Sequence, residues 1–314
     1  MTETLQNLFW ILIFPGFLFT IAFGLIASWI VRKVSALVQW RVGPPLFQPF
    51  YDVMKLMGKE ILIPKDAQRA IFMISPLIGL AGVLLLSSML WWITIKPATN
   101  FVGDIIVAIY LMVLPSLALI LGSSSSASPH AAIGTSREMK LILGYELSLV
   151  LAFIVVIIKA DGQLNLAKIA GQTPIFSISG LLAFLVALLC VQAKLGFVPF
   201  DIAEAETEIG SGVLMEYSGA LLAIWQLMQA VMLVALPLFL VVVFMGGMGT
   251  TNTELIRGIG KYVLILVLLI LIKNTNPRLR IDQAIKFFWV YCGIALVVAI
   301  ILAIIGSHCG IKWL

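Results

Sequence analysis

No charged residue stands between Glu216 and Glu254. Apolar runs of about 20 residues or more recur from one end of the chain to the other, the length a helix needs to cross a bilayer. They sit in a composition that is 61% hydrophobic and 11% charged, with a mean hydropathy of +1.12, too apolar for a soluble chain of several domains. Outer-membrane strands would instead alternate polar and apolar residues over about ten positions. The expected fold is all-α: a polytopic membrane protein with about eight transmembrane helices and one integral membrane domain spanning residues 1–314.

The spans read as Leu8 to Val31, Ile71 to Ile95, Ile105 to Leu121, Leu141 to Ile158, Ile178 to Gln192, Tyr217 to Met245, Tyr262 to Ile272 and Phe287 to Ile305. The first follows Met1 to Asn7, which carries Glu3 and no basic residue, and its length suits a retained helix rather than a cleaved signal. The sixth is longer than a bilayer requires, which implies tilt, and Pro237 is an expected kink. The seventh is short as drawn and is expected to extend back towards Ile259.

Orientation follows from the basic residues. Arg32, Lys33, Arg41, Lys55, Lys59, Lys65 and Arg69 fall in the first loop, and Arg137, Lys140, Lys194, Lys273, Arg278, Arg280 and Lys286 in later loops of the same side. That is fourteen of the 20 Lys and Arg, which assigns this side to the cytoplasm and both termini to the outside of the cell membrane. The cytoplasmic loops are then about 32–70, 122–140, 193–216 and 273–286.

Cofactor chemistry finds little support in the chain. Cys190, Cys292 and Cys309 stand singly, without C-x-x-C spacing, and the only histidines are His130 and His308. Haem, zinc and Ser-His chemistry are disfavoured, so acid–base work falls to carboxylates. Nothing beyond a net charge of +5 points to nucleic acid.

The carboxylates are concentrated. Asp201, Glu204, Glu206, Glu208 and Glu216 are five of the chain's 15 acids, and no Lys or Arg occurs from Leu195 to Ile256. Helical spacing would put Glu204, Glu208 and Glu216 on one face, while Gly210 and Gly212 favour a bent or unwound element equally. Acids so close share protons or cations, unless the segment is simply a solvated acidic loop. Glu146 lies within the fourth span, where an unpaired carboxylate costs several kcal/mol. It reads as part of an ion pathway, or else as an acid near a helix end reaching the interface.

Two loops have further character. After the turn Arg41-Val-Gly-Pro-Pro45, apolar Phe47, Phe50, Met54, Met57 and Ile61 oppose Gln48, Asp52, Lys55 and Lys59, the pattern of an amphipathic interfacial helix lying on the membrane or under a partner. Thr135-Ser-Arg-Glu138 reads as a capping box opening the fourth span. The basic first loop reflects the positive-inside bias and also offers a docking surface for an acidic subunit or lipid headgroups.

Several motifs together resemble one family. These are Gln39-Trp-Arg-Val-Gly-Pro-Pro45, Leu46-Phe-Gln-Pro49, Gly144-Tyr-Glu146, Pro199-Phe-Asp-Ile-Ala-Glu-Ala-Glu206 with Glu216-Tyr-Ser-Gly219, and Pro277-Arg-Leu-Arg-Ile-Asp-Gln283. They are similar to the membrane subunit of respiratory complex I (the 1/H type) that joins the hydrophilic arm to the proton-pumping arm, and to its relatives in membrane-bound group 4 hydrogenases. The resemblance spans nearly the whole chain. It implies eight helices, no metal or flavin in this chain, and no catalytic centre of its own. Iron–sulfur clusters, and in some relatives NiFe, would belong to neighbouring hydrophilic subunits on the cytoplasmic side, with antiporter-like and small membrane subunits alongside in the lipid bilayer.

Carried over by motif, the proton or ion pathway would use Glu146, Asp201, Glu204, Glu206, Glu208 and Glu216. Arg41 would lie at the junction with the hydrophilic arm, with Lys55, Arg278 and Arg280 as further docking residues. Quinone-dependent members resemble G-R-x-G-P-N with a longer insertion, whereas this chain has Trp40-Arg-Val-Gly-Pro-Pro45 running straight into Leu46. The shorter junction looks more like ferredoxin-dependent archaeal complexes that evolve hydrogen or reduce sulfur. Three rivals stand beside that reading: a quinone-binding subunit of a quinone oxidoreductase, a stand-alone cation or proton transporter, and a passive anchor.

Overall fold

The computed structural model describes residues 9–10, 12–95, 103–205, 208, 210, 212–249, 251–311 and 313. Over these residues the fold is all-helical: α1 (Phe17–Val38), α2 (Gln48–Met57), α3 (Arg69–Ile95), α4 (Asp104–Ser124), α5 (Pro129–Lys159), α6 (Leu166–Ala170), α7 (Ile178–Lys194), α8 (Gly219–Phe244), α9 (Asn252–Thr275) and α10 (Ile281–Cys309). Among the described residues, seven are long and apolar enough to cross a membrane, and α7 is a shorter apolar helix of 17 residues. A π turn, Phe287–Cys292, interrupts α10.

The helix with the fewest polar residues is the centre. α8 packs on α1, α2, α3, α6, α7 and α9 and is almost wholly enclosed by them. Helices in a membrane gain little from expelling water against one another, so close backbone approach and dispersion must hold them. Gly24 shows how: a Cβ there would lie 2.8 Å from the Ala230 carbonyl oxygen, so only glycine lets α1 sit this close to α8. α8 stays helical through Pro237, the expected kink.

Hydrogen bonds gather the loops into two ends. At one, Leu62 N–H donates to Ser218 Oγ (3.0 Å), Gln68 N–H to the Ser125 carbonyl (3.0 Å), Gln39 Nε2 to Asn274 Oδ1 (3.1 Å) and Leu279 N–H to the Pro199 carbonyl (3.0 Å). This end, called the loop side below, carries α2 and the acidic segment. At the other, Lys261 Nζ reaches the Met245 carbonyl (2.6 Å).

The structure corrects two expectations and sharpens two more. α5 begins at Pro129, with Ser128 before it, so Thr135-Ser-Arg-Glu138 is helix interior and not a capping box. Thr135 Oγ1 instead meets Ser123 Oγ (2.7 Å) and the Ala131 carbonyl (2.8 Å), and Glu138 is buried. Second, α1 runs to Val38 and α9 from Asn252, so Arg32, Lys33, Arg257 and Lys261 lie on helices; long basic stems let a helix extend past its apolar stretch. Third, the amphipathic α2 packs through Val53 and Leu56 beside Ala223 and Leu227, with Pro49 also buried, and leaves the expected apolar face of Phe47, Phe50, Met54 and Met57 exposed, free to meet a membrane or a partner. Fourth, of the two arrangements open for Asp201 to Glu216, the bent one holds among the described residues: Glu204 and Glu216 lie in turns, Glu208 is helical and Gly212–Leu214 is a short 3₁₀ element. Glu206 lies outside the described residues.

Candidate functional site

Glu146 on α5 forms an ion pair with Lys194, the last residue of α7. The Lys194 side chain has no exposed surface, and 17% of Glu146 remains accessible. The ammonium also donates to the Met112 carbonyl on α4 (3.2 Å) and lies 5.1 Å from the centre of the Tyr145 ring, whose hydroxyl meets Ser116 Oγ at 3.2 Å. A buried ion pair is tolerated only where further hydrogen bonds and dipoles satisfy it, and here a carbonyl and an aromatic face do so. Glu138, two turns earlier on α5, is the third charged member and interacts electrostatically with Lys194.

A cavity of about 500 Å³ opens beside this cluster on the loop side. Its charged lining consists of Arg32, Glu138, Lys194, Asp201, Glu204 and Lys273, interspersed with apolar Leu25, Val53 and Phe197. Lys273 stacks over the Phe197 ring at 4.1 Å. The structure thus brings Asp201 and Glu204 to one cavity with Glu138. Glu146, Glu208 and Glu216 do not line it. Glu146 is joined to it only through Lys194.

The acidic segment is not left without counter-charges, as the local sequence implies. Arg278 donates to Asp201 (2.5 Å) and Arg137 to Glu208 (2.6 Å), and Gln229 Nε2 to Glu204 (3.3 Å). The cations come from 77 and 71 residues away, so no local window could have revealed them. Arg278, expected as a docking residue, pairs with Asp201 and stays partly exposed. Arg41, Lys55 and Arg280 are exposed on the loop side.

Glu138, Lys194, Gln229 and Lys273 were absent from the expected site. Only Lys194 carried a signal: it follows an uncharged run from Ile178 and stands five residues before Pro199 of the Pro-Phe-Asp motif.

Asp52 on α2 accepts from Arg32 on α1 (2.6 Å) and from Gln48 (2.8 Å). Burial alone would push its carboxyl up, but those hydrogen bonds and the charges of Arg32 and Lys55 outweigh it and hold the group below the usual aspartate value. A carboxyl lowered on folding adds stability above its unfolded pKa of about 3.9, and that contribution disappears as the pH falls through the lowered value. With Arg32 44% exposed, the effect is under about 1 kcal/mol. Amide protection factors along α2 should therefore fall modestly in acid but not near neutrality. Asp52→Asn should lose that acid dependence.

Comparison with known proteins bears on this geometry. Residues 10–304 match the NADH dehydrogenase family. The second H-type subunit of the NADH-quinone oxidoreductase of Syntrophobacter fumaroxidans is 32% identical over 83% of this chain and 84% of its own length. NADH-ubiquinone oxidoreductase chain 1 of Paracentrotus lividus is 33% identical over 82% and 83%. Among solved structures, a chain of the membrane-bound sulfane sulfur reductase, an archaeal respiratory membrane complex, superimposes with a TM-score of 0.84 at 28% identity, covering 96% of this chain and 100% of that one. With a family match across almost its whole length and helices built to cross a bilayer, the chain belongs to the NADH dehydrogenase family as a multi-pass membrane protein of the complex I 1/H type.

Proposed function

We propose that this chain is the membrane-anchoring and energy-coupling subunit of a ferredoxin-dependent respiratory complex of the hydrogen-evolving or sulfur-reducing type. It binds no redox centre and couples electron transfer in neighbouring cytoplasmic iron–sulfur subunits to proton or sodium movement. The observation that carries this reading is the line of charged groups from Asp201 and Glu204, along the cavity wall, to Lys194 and partly buried Glu146. A unit of charge arriving near such groups changes their proton affinity strongly where water is scarce. The basic bias supports a cytoplasmic loop side, and exposed Arg41, Lys55 and Arg280 would offer that face as a docking surface for the hydrophilic arm and its NiFe-type or sulfur-reducing partner. Antiporter-like neighbours would take up the ion on the membrane side.

The sulfane sulfur reductase likeness and the short Trp40 to Leu46 junction support the ferredoxin-linked branch. A quinone-binding role is favoured by the apolar part of the cavity and by the names of the sequence relatives. The intact complex in liposomes separates the two when polysulfide, protons and a short-chain quinone are supplied in turn as acceptors.

Glu146→Gln tests the coupling role. With reduced ferredoxin as donor, ion movement per electron should be lost while electron flux continues. Unchanged coupling would leave Glu146 a structural residue and remove the basis of the reading.

A further inference from the structure

Lys194 occupies an unusual position between two compartments of the molecule. It lines the loop-side cavity, and its ammonium touches Glu146, which does not line that cavity yet keeps 17% of its side chain accessible. Beside Glu146 on α5, Leu143 and Leu147 are exposed. Lys194 thus contacts both the cavity and Glu146.

The groups around the ammonium are Glu138, Tyr145 and Glu146 from α5, Cys190 one turn back on α7, and the Met112 carbonyl from α4, with the Ser116 hydroxyl bonded to that of Tyr145. With both acids ionised, two carboxylates share one cation. Glu138 and Glu146 are eight residues apart, about 12 Å along the helix. Lys194 carries its charge on a flexible four-carbon stem, and Arg, with its planar fork, does not reorient in the same way. The geometry offers the ammonium one partner on each side.

We propose that Lys194 is a movable positioning charge that gates Glu146. Its ammonium leaves Glu146 for the cavity and Glu138 when negative charge accumulates on the loop side, and it returns when that charge is dissipated. In the first state Glu146 is a carboxylate without its cation and takes one proton from the loop side through the space the ammonium has left. In the second, the returning ammonium displaces that proton towards the accessible face of Glu146. One proton is taken up and one released per cycle, and no covalent bond of Lys194 changes. The inference rests on the coupling reading above and adds the element that gives the path two sides.

The test uses the intact complex in liposomes with reduced ferredoxin as donor. Lys194→Arg keeps a fixed positive charge beside Glu146. A passive counter-ion would survive that replacement. The gate would not: ion movement per electron should be lost with electron flux retained, and the redox-induced infrared difference band of a protonating carboxylate, present in the parent and absent in Glu146→Gln, should vanish. Should arginine fail to fit a site with no exposed surface, Glu138→Gln removes the second resting place and leaves the Lys194–Glu146 pair intact. It should abolish the same band and the same coupling. Parental coupling in either Lys194→Arg or Glu138→Gln overturns the gate. If Glu146→Gln is uncoupled at the same time, the carboxylate path stands without it.

Discussion

Gly219→Val should deplete the membrane of assembled complex. Gly219 opens α8 with φ at +57°, a left-handed conformation that costs a residue with a Cβ about 1–2 kcal/mol. The second obstacle is steric. A Cβ would lie 2.8 Å from the Lys59 carbonyl oxygen and closer still to that of Glu60. Both are backbone atoms, so no side-chain rotation relieves the clash. The loop after α2 would have to lift off α8, breaking the Leu62 N–H to Ser218 Oγ bond and uncovering one wall of the loop side. Strain and overpacking together amount to about 2–5 kcal/mol, a large part of the stability of most folds. Native gels should reveal little intact complex, and any that survives should have a depressed thermal midpoint. Gly260→Ala is the control, because a Cβ at that position meets nothing within 4 Å and sits in a helix that alanine suits. Parental yield of Gly219→Ala and Gly219→Val would contradict the close approach.

The second large effect is expected from Trp225→Ala. Trp225 has no exposed surface, and its ring meets Tyr217 edge-on at 5.6 Å. Tyr217 in turn stacks on Phe72 at 4.2 Å and 3°, with its hydroxyl donating to the Phe72 carbonyl (3.2 Å). Three aromatics thus fix the start of α8 against α3. Between helices in lipid the indole contributes mainly dispersion, and a void left by its removal has no atoms to replace those contacts. The loss should be about 3–5 kcal/mol. Trp225→Phe should lose clearly less, because an edge-on ring remains. Thermal unfolding of the complex in nanodiscs reads both, and equal midpoints for parent and Trp225→Ala would mean that the site collapses without cost.

The spans were legible because a bilayer sets a length that few other constraints imitate. Every drawn span has a helix at its place, and most errors were at the ends, where basic stems carry helices beyond their apolar stretch. Glu146 was legible for the same reason, since a lone acid in such a run stands out. Glu138 was not, because Thr135-Ser-Arg-Glu138 satisfies a capping pattern that depends on where the helix starts, and Pro129 starts it earlier. That Val53 and Leu56 pack α2 on the bundle was not legible, because both sides of that helix carry apolar residues and only contact with Ala223 and Leu227 distinguishes them. The ion pairs of Asp201 and Glu208 were invisible for a plainer reason: their partners are brought by tertiary contacts over 77 and 71 residues.

The Asp201–Arg278 pair and the Leu279 to Pro199 hydrogen bond have a consequence for how the protein is made. A chain delivered to the membrane from its N-terminus presents Asp201 long before Arg278 is synthesised. Through the insertion of α8 and α9 the Pro-Phe-Asp turn has no cation from the last loop and no backbone donor from Leu279. The Pro-Phe-Asp turn therefore acquires these partners only once the loop between α9 and α10 has been made, well after the α5 acids are in place.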